Sequence, residues 1–168
     1  MKNNVAYIIK QISDITGHQP VKKALQKTVF LIEKKGVDLG FEYMLHFYGP
    51  YCAELDHETA QLSADGIITF NYSQYGHKMS VSSECGEILS EGLSGSQASI
   101  ITDVIQRYKD QSASDLELLT TAIYAYDHTG VKTRADVAEN VKKIKGEKYN
   151  DTEIAWALSE FPYFGISV

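Results

Sequence analysis

Between Gly40 and Val81 the apolar pattern of this chain changes period, and that change limits the fold more than any other feature. Ahead of it, Val5, Ile8, Ile9, Ile12 and Ile15 recur at spacings of three and four, which predicts one stripe on a helix. Gly17 supplies its left-handed stop. A second helix is expected from Pro20, with Val21, Leu25, Thr28 and Ile32 on one face, widened by Ala24 and Leu31. Lys22, Lys23, Lys27, Lys34 and Lys35 fall mostly around the rest, and Gly36 ends the helix. From Gly40 the residues Phe41, Tyr43, Leu45 and Phe47 alternate with Glu42, Met44, His46 and Tyr48. That period of two predicts a strand, ended by Gly49-Pro50. A third helix is expected from about Tyr51 to Ala64, with Cys52, Leu55, Thr59 and Leu62 inward. Ile67, Ile68, Phe70 and Tyr72 then read as a strand, Lys78 to Val81 as its partner, and 73–77 as a hairpin tip. Helix, helix, strand, helix, strand, strand is the order of a winged helix.

The remainder reads as helical. A short helix is expected from Ser83 to Ser90, and the run Gly92-Leu93-Ser94-Gly95-Ser96 is the candidate subdomain boundary. Ile100, Ile101, Val104, Ile105 and Tyr108 form the next stripe. Ser114 with Glu117 has the spacing of a capping box, as does Asn150 with Glu153, and Thr133 is a further cap. The expected fold class is α+β and mostly helical. A winged-helix-like unit with a small sheet occupies residues 1–92, and a helical extension packed on it occupies 93–168, with a single domain made of both as the alternative.

Sixteen basic and 22 acidic side chains give a net charge of -6, which opposes a general affinity for nucleic acid. No apolar run approaches the roughly 20 residues that span a bilayer, so no membrane partner is expected. Two cysteines, Cys52 and Cys85, make no disulfide framework and point to a reducing cytoplasm.

The segment Ala24-Leu25-Gln26-Lys27-Thr28-Val29-Phe30-Leu31, followed by Leu45-His46-Phe47-Tyr48-Gly49-Pro50-Tyr51, resembles the YwgA-like family of bacterial and archaeal proteins. That family is similar in turn to the SocA-like, or Panacea, antitoxin domain. The likeness is clearest from residue 21 to residue 92. It implies a winged-helix-like core and, through the antitoxin relatives, protein binding that neutralises a toxin or presents it to a protease. Leu25, Gln26, Lys27, Tyr48, Gly49 and Pro50 are the family-type motif. A scaffold role accounts for them: Gly49 turns the chain out of the strand and Pro50 presets the first turn of the following helix. Tyr48 and Tyr51 would lock that turn against the second helix, and Gln26 and Lys27 could bond strand-end carbonyls. A binding notch is the alternative.

Other chemistry fares poorly. The third helix carries Glu54, Asp56 and Glu58, and no Lys or Arg lies between Pro50 and Lys78, so phosphates would be repelled. Lys132, Arg134, Lys142, Lys143, Lys145 and Lys148 form a basic patch offset by Asp136, Glu139 and Glu147, which reads as a solvated surface or a site for an acidic partner. Cys52 and His57 are misplaced for a shared metal, and no nucleophile elbow or phosphate loop is present. No catalytic residue, metal or cofactor is expected. Tyr72, Tyr75, His77 and Lys78 at the wing form the candidate partner surface, tyrosine being enriched at interfaces. The closing run Phe161-Pro162-Tyr163-Phe164-Gly165-Ile166 is expected to dock on the body of the fold or on a second copy. The reading is a non-catalytic protein-interaction module, adaptor or antitoxin-like, with a winged-helix DNA-binding regulator as the alternative.

Overall fold

Residues 2–74, 76–85 and 92–168 are described by the structure, a computed structural model. In chain order the elements are α1 (Lys2–Thr16), α2 (Lys22–Lys34), β1 (Met44–His46), β2 (Gly49–Tyr51), α3 (Ala53–Ala64), β3 (Ile68–Ser73), β4 (Gly76–Val81), α4 (Gly95–Tyr108), α5 (Ala113–His128), α6 (Arg134–Lys145) and α7 (Asp151–Ser159). This is a mostly helical α+β fold, with two antiparallel strand pairs among the described residues. No helix among the described residues is long and apolar enough to cross a membrane. The chain divides into two compact units. One comprises the residues up to Tyr43 with Cys52–Asp110, the other Met44–Tyr51 with Gln111–Val168.

In the first unit, Val5, Ile8, Ile9 and Ile12 of α1 are buried, as the stripe requires. Leu25, Val29, Leu31 and Ile32 of α2 and Ile101, Val104, Ile105 and Tyr108 of α4 complete the helical core. Each such side chain contributes about 1.5–3 kcal/mol when fully withdrawn from water. β3 pairs with β4 from Ile68↔Val81 to Ser73↔Gly76. Pro20 lies ahead of α2 instead of in its first turn: its carbonyl accepts the Met79 N–H at 2.9 Å, and Val21 bridges to Lys78. The segment that joins the wing therefore sits between α1 and α2, and not at 41–48. With α3 and the β3–β4 hairpin following, the arrangement fits a winged-helix-like architecture. Of the helix expected at Ser83 to Ser90, a 3-10 turn is described at Ser83–Cys85, and 86–90 lie outside the described residues. The Gly92–Ser96 run falls inside this unit, where Ser94 and Gln97 form a capping box for α4.

The strand expected over 41–48 is instead a hairpin in the second unit. Met44↔Tyr51, Leu45↔Pro50 and His46↔Gly49 pair across the turn Phe47-Tyr48. Gly49 starts the return strand at φ +85°, the left-handed conformation that fits ordinary turn residues to the twist of a hairpin. Pro50 is tolerated because a two-stranded ribbon has outer edges, where a missing N–H breaks no ladder. It does not start a helix; α3 begins at Ala53, where the Cys52 Sγ accepts the Leu55 N–H at 3.4 Å.

Helix α5 packs against β2, α6 and α7, and Leu116, Leu118, Leu119, Ala122 and Ile123 are buried. Its capping box is Ser112 with Asp115, two residues ahead of the expected Ser114 and Glu117. Thr133 and Asn150 cap α6 and α7 as expected, the latter in a box with Glu153. After α7, Phe161, Phe164 and Ile166 are buried, with the Phe161 ring 5.9 Å from that of Tyr126. The aromatic terminus thus docks within its own unit.

Candidate functional site

The family-type motif is divided by the fold. In the first unit Leu25, Gln26 and Lys27 are all buried, so Lys27 does not join the solvated lysines. Gln26 grips one peptide from both sides: its Nε2 donates to the Cys52 carbonyl at 2.8 Å, and its Oε1 accepts the Cys52 N–H at 2.9 Å. Burial pushes the Cys52 thiol up, with Glu54 opposing ionisation as well, although N–H bonds from Leu55 and Glu54 work the other way. That direction is the reverse of an activated thiolate. Among the described residues no group of His, Cys, Asp or Glu could hold a metal ion.

At the wing, Tyr72 is 77% exposed and faces His77 across the strand pair, with ring centroids 4.4 Å apart. Lys78 is half-buried opposite Asn71, and Tyr75 lies outside the described residues. Helix α3 keeps its acidic character, and Lys22, reaching Asp56 at 3.3 Å, is spent on an ion pair. Nothing in that geometry converts α3 into a cationic reading element.

The second unit holds a cluster that sequence reasoning misses. Glu117, read above as a cap, is 0% exposed. Its Oε1 accepts from Lys145 Nζ at 2.8 Å and from Lys148 Nζ at 2.7 Å. Lys145 has a side chain only 4% exposed and also donates to the Phe47 carbonyl at 2.8 Å, tying the hairpin turn to the end of α6. Burial works against the charge on Lys148, but the Glu117 carboxylate and the Tyr149 hydroxyl outweigh it and hold the ammonium above its ordinary pKa. Two ammonium groups meet one carboxylate, which leaves an excess of one positive charge. The only sequence signal for this was the lysine-rich run 142–148, whose partner lies far back in α5. The rest of the basic patch is dispersed: Lys142 pairs with Asp151, Lys143 with Glu139, Arg134 bonds the Ala155 carbonyl, and Lys132 sits 3.9 Å over the Tyr126 ring.

Gly49 also belongs here. A Cβ on it would come within 2.9 Å of Thr121 Oγ1 and 3.4 Å of Glu117 Cγ, so only glycine lets β2 lie this close to α5. Tyr48 is exposed, its ring edge-on to Phe47 at 5.0 Å, while Tyr51 pairs with His46 at 5.4 Å. Phe47 is 79% exposed, and Met44 and Leu45 are exposed beside it. An open cavity of about 330 Å³ is lined by Leu45, His46, Phe47, Ile144, Lys145 and Lys148. The arrangement offers apolar contact from Leu45, Phe47 and Ile144 and cationic donors from Lys145 and Lys148. No family model matches the chain, and comparison with the curated proteins finds no match.

Proposed function

We propose that the chain is a non-catalytic protein-interaction module, adaptor or antitoxin-like, that engages its partner through the β1–β2 hairpin. The observation that carries this reading is the exposure of four large apolar side chains, Met44, Leu45, Phe47 and Tyr48, on one short hairpin. Contiguous exposed apolar surface rimmed by polar groups is characteristic of an interaction site. The hairpin is anchored from beneath by the packing of β2 on α5 and by Lys145, so the patch is presented on a rigid base. A preorganised surface loses less entropy when it binds. A toxin, or a protease system receiving one, is the partner class implied by the family resemblance. The wing surface at Tyr72, His77 and Lys78 is a second contact region on this reading. Cys52 and Cys85 are free thiols, which suits a cytoplasmic setting.

The test is in-cell cross-linking of the tagged full chain at native abundance, followed by identification of the linked peptides. Phe47→Asp is expected to reduce recovery of the specific partner at least tenfold while the circular dichroism spectrum stays unchanged. Equal recovery from both forms would refute an interaction through the hairpin.

A further inference from the structure

We infer that the cavity between the Phe47-Tyr48 turn and the end of α6 receives a carboxylate side chain of the partner polypeptide, flanked by a bulky apolar residue. This rests on the interaction reading above and names the chemistry of its ligand. Three observations lead to it. Leu45, Phe47 and Ile144 give the cavity apolar walls, and its volume of about 330 Å³ suits one large side chain with a carboxylate beside it. Lys145 and Lys148 line the same space, and together they exceed Glu117 by one charge. The carbonyl end of α6 carries about half a unit of negative charge, which lowers this excess without cancelling it. A single incoming carboxylate brings the group close to balance; a polyphosphate would not find enough cations to release its counterions.

Donor geometry agrees. An ammonium has three N–H donors, and Lys145 gives two of them to Glu117 and to the Phe47 carbonyl. The third remains for a ligand in the cavity. Since both existing bonds already fix Lys145, little side-chain freedom is lost when the third forms. The cavity is open to solvent, and the carboxylate assigned to it is that of an internal Asp or Glu, whose neighbouring side chain can meet the apolar walls.

An array of blocked peptides tests this with the full-length protein. Each peptide carries Phe or Leu beside Glu, and matched sets substitute Gln, phosphoserine or a free C-terminal carboxylate for the Glu. Binding is expected to favour Glu over Gln by about tenfold, the effect of one charge-assisted hydrogen bond. Lys148→Gln should erase that preference, Lys148→Arg should keep it, and added salt should weaken it. Indifference to Glu versus Gln, a stronger response to phosphoserine or to the free terminus, or a preference untouched by Lys148→Gln would each overturn the proposal. If Phe47→Asp still abolishes cross-linking to the partner in those cases, the interaction reading stands and only the carboxylate assignment fails.

Discussion

Glu33 shows how a single half-buried carboxylate can leave a pH signature. Its Oε1 accepts the N–H groups of Leu39 and Phe41, both at 3.1 Å, which organises the chain after α2. Burial raises its pKa above 4.5 and Asp38 adds to the rise, against the lowering effects of the two N–H bonds and of the Tyr43 hydroxyl. The native state therefore holds this proton more tightly than the unfolded chain does. The resulting stabilisation is complete below about 4.5 and disappears as pH rises through the folded value. Glu33→Gln keeps an acceptor for both N–H groups and removes the charge. Urea denaturation should find the variant more stable than wild type near pH 7, with the advantage shrinking towards pH 4; a constant difference at both values would contradict the assignment. At this scale the sequence was legible where chemistry is local. Asn150 and Thr133 cap because their acceptors lie three residues from the donors. Glu117 was not legible. Ser112 with Asp115 and Ser114 with Glu117 offer overlapping boxes, and the choice depends on lysines that only the tertiary fold brings near.

Among the elements, the β1–β2 hairpin departs furthest from its sequence signal. Period-two alternation over 41–48 is real, yet pairing reverses the chain after His46, because Gly49 can take φ +85° and Pro50 does not need a partner for an N–H. The helical stripes were easier to read, since a buried face repeats every three to four residues whatever it packs against. Gly49→Ala would place a methyl 2.9 Å from Thr121 Oγ1 and hold alanine in a left-handed conformation. Strain and overpacking together should cost about 2–4 kcal/mol, seen as a lower midpoint in chemical denaturation. A loss under about 0.5 kcal/mol would mean that β2 does not lie against α5 as described.

For the molecule as a whole, its division could not be anticipated from composition. Gly92–Ser96 carries the usual marks of a linker, yet it precedes a capped helix of the first unit, and the second unit draws on residues from both sides of α3. Linker composition reports local flexibility; membership of a unit is decided by which apolar faces meet. A fragment comprising residues 111–168 would keep α5, α6 and α7 but lack the strand that covers one side of α5 and the carbonyl that holds Lys145. It should show helical circular dichroism without a cooperative thermal transition, and a sharp two-state melt would show that the hairpin is dispensable. The same threading has a consequence for biogenesis. A nascent chain emits Met44–Tyr51 long before α5 leaves the ribosome, so this aromatic ribbon waits unfinished and sticky in the interval. Chaperone occupancy during translation should peak there, and synonymous codons that slow elongation after Tyr51 would lengthen the exposure.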